Sequence, residues 1–279
     1  MLRRSLRFAG LFGLSAWFLP LALASRLLAL FGQRRAALRL GAATQGRWAR
    51  AILRVLHVEV VLEGTVPHGT FVVVANHLSY LDIPVLASLF PGRFVAKSEI
   101  ASWPVLGKLA AAVGTIFVVQ RRTRDMKRVE SEMVETLQAG VPVLLFPEGH
   151  STRGVGIDRL HSSLLECTVH AGSPCLAVSL GYETPGEPWA PAATVCWWGG
   201  MSFCRHAWRL VGLGSIRSTV RVAPQVLGGL ERKELARRLH QELLARFQPL
   251  RQQPIAPDYP WPELFHSVDL PEGGSARAS

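Results

Sequence analysis

The stretch Phe71-Val-Val-Val-Ala75, followed by Asn76-His77-Leu78-Ser79-Tyr80-Leu81-Asp82 and Pro84, decides how the chain is read. A short run of β-branched residues is a buried strand, and the spacing beyond Pro84 is helical. His77 therefore stands at a strand-to-helix junction, where ligands of layered α/β proteins gather. A carboxylate that accepts a hydrogen bond from one imidazole nitrogen fixes the tautomer and leaves the other nitrogen free to take a proton. His77 and Asp82, five apart, form such a pair on paper. The same spacing also suits a capping carboxylate beside an ordinary polar histidine.

Outward from this point, strand-like and helical stretches alternate. His57–Glu63 alternates as a strand, and Phe94–Lys97, Thr115–Val119, Val141–Phe146 and Cys175–Leu180 are further short strands. Val195–Trp198 and Val220–Val222 are later apolar runs. Helices are predicted over Val105–Val113, from the basic loop Arg121–Arg128 to Leu137, and over Glu231–Phe247. In the last of these, Leu235, Leu239, Leu243 and Phe247 make a core-facing stripe. The order predicts an α/β fold: a layered mixed sheet flanked by helices, with an N-terminal membrane-associated helical segment. The divisions are residues 1–57 (basic amphipathic helices), 58–248 (the catalytic-type domain) and 249–279 (a Pro-rich, disordered tail).

The net charge is +11, and ten arginines from Arg3 to Arg54 account for nearly all of it, with no Asp, Glu or Lys before Glu59. These arginines flank the uncharged run Phe8–Ser25, extended by Leu27–Phe31. A nucleic-acid reader carries its charge on the folded module, so this pattern points to lipid and away from nucleic acid. Pro20 and Arg26 interrupt the run as a spanning helix, and a helix pair lying in one leaflet fits better. A cleaved signal peptide is the third reading, because Arg3-Arg4, the apolar stretch and Ala22-Leu-Ala24 mimic its three regions. Cys167, Cys175, Cys196 and Cys204 form no Cys-x-x-Cys pair and read as reduced thiols, which favours a cytoplasm-facing domain.

Asn76-His77-Leu-Ser-Tyr-Leu-Asp82 resembles the Asn-His-x-x-x-x-Asp box of the glycerolipid acyltransferase family. Phe146-Pro147-Glu148-Gly149 resembles its acceptor-site box, Gly114-Thr-Ile-Phe-Val-Val-Gln-Arg121 its glycine-to-arginine strand, and Gly172-Ser-Pro174-Cys-Leu-Ala-Val178 its last apolar box. Their order and separations match from about Val58 to Phe247. The resemblance implies acyl transfer from a thioester donor, acyl-CoA or acyl carrier protein, to a lysophospholipid, with His77 as general base and Asp82 as its orienter. No cofactor or metal is implied. The implied substrate-binding residues are Asn76, Arg121 or Arg122, Glu148, Gly149 and Arg153; arginine suits a phosphate better than lysine does. The implied location is the cytoplasmic face of the cell membrane.

Three departures leave the reaction class intact and the acceptor open: Arg121 follows Gly114 by seven positions where many relatives have six, His150-Ser-Thr-Arg153-Gly154 replaces the common Thr-Arg continuation, and Ala177 stands for a usual proline. The leading acceptor is 1-acylglycerol-3-phosphate; a lyso-ornithine-lipid-like or other lysophosphoglyceride acceptor, and a non-catalytic lipid binder, stay open. Two rival sites fit the residues less well. Gly149-His-Ser151-Thr-Arg153 begins like a serine-hydrolase elbow but lacks its final glycine. A metal site at His77, Asp82, Glu148 and His150 lacks a helical His-x-x-x-His pair.

Overall fold

The computed structural model describes residues 1–103, 106–119 and 123–252. Two long helices, α1 (Leu2–Leu30) and α2 (Arg34–Val55), precede strand β1 (Val58–Glu63). There follow β2 (Val72–Ala75), α3 (Asp82–Leu89), β3 (Arg93–Lys97), α4 (Ser98–Ala101), α5 (Leu106–Ala112), β4 (Ile116–Val118), α6 (Thr123–Gln138) and β5 (Val143–Leu145). The remainder is α7 (Glu166–His170), β6 (Cys175–Glu183), α8 (Pro191–Thr194), α9 (Phe203–Leu210), β7 (Ile216–Leu227) and α10 (Arg232–Leu244).

The strands make one mixed sheet in the order β1-β7-β6-β2-β5-β3-β4. From β6 to β4 every neighbour is parallel, while β7 runs antiparallel to β6 and carries β1 in parallel at the edge. Strand β2 lies between β5 and β6, and all four of its residues are buried. That burial explains its unbroken apolar sequence, since a central parallel strand is covered on both faces. Because β2 and β5 are parallel neighbours, the loops after Ala75 and Leu145 leave the sheet at the same edge. Two motifs about 70 residues apart in sequence thus meet by topology.

Leu235, Leu239 and Leu243 of α10 are buried in the main core, one helical turn apart. In α6, Val129 and Met133 do the same.

Several elements differ from the sequence reading. Helix α1 is continuous through Pro20 and Arg26; Pro20 lies on an exposed face, where the missing N–H costs no packed contact. Among the described residues α1 is the one helix long and apolar enough to cross a membrane, with a mean hydropathy of 1.6 and only 11% of that window buried. Val195–Trp198 is not a strand but the irregular segment after α8. Residues 123–128 belong to α6 instead of a loop. Strand β7 is much longer than Val220–Val222 and contains Pro224, which falls where the β6–β7 register shifts, so the ladder does not need its N–H. The expected tail lies outside the described residues from position 253; before that, Leu250 is buried and its N–H donates to the Gly154 carbonyl at 2.8 Å.

The two N-terminal helices are built into the domain. Ala49, Ile52, Leu53 and Leu56 belong to the same core cluster as β2, so no core boundary separates residues 1–57 from the sheet. Arg7, only 8% exposed, donates to the carbonyls of Val211 (2.9 Å) and Leu213 (2.6 Å) just past the end of α9, and Phe8 stacks on Trp208 at 5.2 Å. Cations are favoured at helix C-termini, and these carbonyls lose their partner if the arginine goes. Arg7→Ala is expected to cost about 1–3 kcal/mol, read as a lowered thermal midpoint in detergent. Arg34→Ala, whose side chain is 70% exposed, should shift it within about 0.5 kcal/mol.

Candidate active site

His77 follows β2 directly. Its ring lies flat on Phe146 at 4.2 Å, and Nδ1 is 2.7 Å from Asp82 Oδ2. Asp82 opens α3 and is fully buried. Its Oδ2 also accepts the N–H groups of Leu78 (2.6 Å) and Ser79 (2.9 Å), and its Oδ1 accepts the Tyr182 hydroxyl at 2.6 Å. A carboxylate so placed accepts a hydrogen bond from Nδ1–H and fixes the neutral tautomer whose Nε2 carries the lone pair. The His77 side chain is 19% exposed, and among the described residues Nε2 has no protein partner. The arrangement holds the ring by one nitrogen and leaves the other uncommitted.

The loop carrying His77 is pinned from both neighbouring strands. Asn76 Nδ2 donates to the Leu180 carbonyl (3.2 Å) and its Oδ1 accepts the Leu180 N–H (2.7 Å), so the amide imitates one more step of the β2–β6 ladder. At 1% exposure, Asn76 builds the loop. Glu148, also fully buried, accepts the N–H of His77 at Oε1 (2.7 Å) and that of Asp158 at Oε2 (2.8 Å). Both carboxylate oxygens thus brace backbone, one at the histidine loop and one at Asp158. Gly149 takes φ +75°, and a Cβ there would meet His161 Cδ2 at 3.3 Å, so the tight turn requires glycine.

Burial pushes the Glu148 carboxyl up to about 7, against the lowering effect of its two backbone hydrogen bonds. A raised folded-state value means that the folded chain favours the protonated form. The resulting stability is full below the unfolded value of 4.5 and is lost as the pH climbs through about 7. The thermal midpoint should therefore fall between pH 4.5 and 7.5, by an amount equivalent to about 2–4 kcal/mol. In Glu148→Gln that component of the slope should vanish; an unchanged slope would remove the assignment.

Arg153 is exposed, with its guanidinium 5.8 Å over the Trp198 ring. It borders a cavity of about 320 Å³ with His150, Thr152, Asp158 and Gly199. The Thr152 N–H donates to the His77 carbonyl (2.9 Å), so this cavity adjoins the histidine loop. Arg121 and Arg122 lie outside the described residues. The Ser151 hydroxyl donates to the Trp197 carbonyl, not to an imidazole, which removes the elbow reading. Among the described residues no three His, Cys, Asp or Glu side chains converge as metal ligands. Trp197 sits edge-on to Tyr80, Trp103 and Phe203, and its backbone N–H donates to the Leu78 carbonyl at 2.9 Å, so this aromatic cluster backs the same loop. Tyr182 is the site residue that the sequence reading missed; nothing in its spacing marks it.

The sequence model of the family described as Acyltransferase matches residues 57–181. A lyso-ornithine lipid O-acyltransferase of Pseudomonas aeruginosa is 34% identical over 197 residues, 70% of this chain and 74% of that protein. A 1-acyl-sn-glycerol-3-phosphate acyltransferase of Neisseria meningitidis is 37% identical over 158 residues, 56% of this chain and 59% of that protein. The crystal structure of the 1-acyl-sn-glycerophosphate acyltransferase PlsC from Thermotoga maritima superposes with a TM-score of 0.56 at 21% identity, covering 86% of this chain and 95% of the other. That likeness speaks for the fold.

Proposed function

As the chain belongs to the glycerolipid acyltransferase family of lysophospholipid-type O-acyltransferases, we propose that it moves an acyl chain from acyl-CoA or acyl carrier protein to the free hydroxyl of a lysolipid, with His77 as general base. The observation that carries this is the 2.7 Å contact of His77 Nδ1 with the fully buried Asp82, which leaves Nε2 of a partly exposed ring without a protein partner among the described residues. His77 Nε2 takes the hydroxyl proton as the oxygen attacks the thioester carbonyl. The carbon–sulfur bond then breaks, and the thiolate leaves with the proton from the imidazolium. No acyl-enzyme is needed. A lipid binder without turnover has no use for a base and its orienter held together, so the enzymatic reading is preferred.

The first acceptor is 1-acylglycerol-3-phosphate, giving phosphatidate, in keeping with the motif resemblance and the Neisseria relative. A lyso-ornithine-lipid acceptor is the second reading, favoured by the Pseudomonas relative, whose length the chain covers more fully. Arg153 beside the 320 Å³ cavity is the described cation placed to meet an acidic headgroup. The exposed apolar residues of α1, among them Leu6, Phe12, Trp17 and Leu27, together with the flanking arginines, support docking on the cytoplasmic leaflet. There the enzyme takes both lipids without exposing their tails to water.

The test is thiol release from acyl-CoA and acyl carrier protein by the full chain in vesicles, offered lysophosphatidate, lyso-ornithine lipid and other lysolipids in turn. Release that depends on an acceptor supports the reading and names the acceptor. No release with either donor across all acceptors would leave a lipid-binding protein as the better account.

A further inference from the structure

Strand β6 holds the His77 loop at both ends: by the Leu180 backbone on Asn76, and by the Tyr182 hydroxyl on Asp82. The second grip is a side chain that no motif of the sequence includes. Asp82 Oδ2 is saturated by three donors, whereas Oδ1, in a residue with no exposure, has the phenol as its hydrogen-bond donor. A buried carboxylate oxygen without a donor is costly, and the donor on Oδ1 decides how much of the negative charge is left on Oδ2 beside the imidazole. Tyr182 is itself 2% exposed, so its hydroxyl is turned inward to this one oxygen and is shielded from water.

We propose that Tyr182 is a positioning residue for acyl transfer, acting through Asp82: by donating to Oδ1 it sets the carboxylate's orientation and the share of its negative charge available to the His77 imidazolium. This rests on His77 being the base. Burial first, and the Asp82 charge second, hold the phenol well above its ordinary pKa, so the donor stays protonated over the working range. The groups around the pair are few. His77 faces Asp82 from α3 and Glu148 from the loop after β5, while Tyr182 faces Asp82, Cys196 from the segment after α8 and Ser218 from β7. Cys196 is fully buried and its thiol is held well above the usual range by burial, so it contributes no charge. Glu148, whose carboxyl burial pushes up to about 7, touches the His77 backbone N–H and not Tyr182, so the imidazole is read directly through its own Nδ1–H resonance.

The sign follows from charge sharing. Without the phenol donor more of the negative charge stays on Oδ2 beside the imidazolium, and the acid limb of the rate profile moves up. A more acidic phenol draws more of the charge and lowers it.

The experiment measures kcat and KM against pH for the full chain in vesicles, with acyl-CoA and whichever lysolipid the wild type accepts. Tyr182→Phe is expected to lower kcat roughly tenfold with KM within about twofold, and to move the acid limb of kcat/KM up by about 0.5 pH unit. Site-specific 3-fluorotyrosine at position 182 keeps the shape and strengthens the donor, so it should move the limb down. It also keeps the test decisive if Tyr182→Phe fails to fold. In ¹⁵N-histidine-labelled protein the His77 Nδ1–H resonance should shift with each change. A lowered thermal midpoint with the acid limb and that resonance unmoved would overturn the proposal and leave Tyr182 as packing alone. A wild type that transfers no acyl group would instead refute the enzymatic reading on which it rests.

Discussion

Replacing His77 with alanine is expected to lower kcat by about 10²–10⁴ while both KM values stay within a few-fold. The size follows from what the ring does. With Nδ1 committed to Asp82, Nε2 is the nitrogen placed to remove a proton from an alcohol, and neither nearby imidazole replaces it: His150 is paired with Asp158 on the surface, and the Nδ1 of His206 is engaged with the Tyr80 hydroxyl. His206 is also pushed down to about 4 by burial, so it is poorly suited to replace a base working near neutrality. The variant should fold, because the lost side chain is partly exposed and leaves only a gap over Phe146. Its acid limb should disappear from the rate profile. Acceptor-dependent thiol release at the wild-type rate would end the assignment of His77 as base.

Asp82→Asn separates charge from geometry. The asparagine oxygen can stay with Leu78 N, Ser79 N and His77 Nδ1, while the Tyr182 hydroxyl turns to accept from the new amide. The tautomer then survives, and what is lost is the negative charge beside a forming imidazolium. An adjacent opposite charge is worth about 1–3 pKa units to a titrating group, so kcat should fall roughly 10–10³-fold and the acid limb should move to lower pH. Asp82→Ala is a different experiment, since it strands three buried backbone and hydroxyl donors as well as the imidazole and should lower the thermal midpoint markedly. A pH profile unchanged in Asp82→Asn would show that the carboxylate serves only as a helix cap.

The central strands and the histidine–aspartate pair were legible in the sequence because each is a local signal. Phe71–Ala75 and Val141–Phe146 are unbroken apolar runs, and His77 and Asp82 are a fixed five residues apart. Membership of the family followed from several such local boxes in order. What could not be read is what topology assembles. Tyr182 meets Asp82 across 100 residues because β6 pairs with β2, and no spacing rule encodes that pairing. Asn76 and Glu148 stand in local motifs, but the backbone bonds by which both brace the histidine loop depend on pairing that spacing does not encode. The Trp197 region is apolar without being a strand, because its aromatics fill a cluster behind the histidine loop. In β7, Pro224 and the outward Arg217 and Arg221 disguised a long strand, since each arginine pairs with a glutamate on β1 instead of contributing to an apolar pattern.

The edge pair β1–β7 also bears on the time the chain takes to be made. Glu59 and Arg217 lie 158 residues apart, so β1 leaves the ribosome long before its neighbour exists. At ~5–20 residues per second the delay is roughly 8–30 s, during which β1 is an open template for any other nascent strand. The α1–α2 pair is finished first, and in a membrane-docked chain it would hold β1 at the lipid surface through that interval. On this schedule the N-terminal helices act as a tether for an unpaired edge before they serve a finished enzyme.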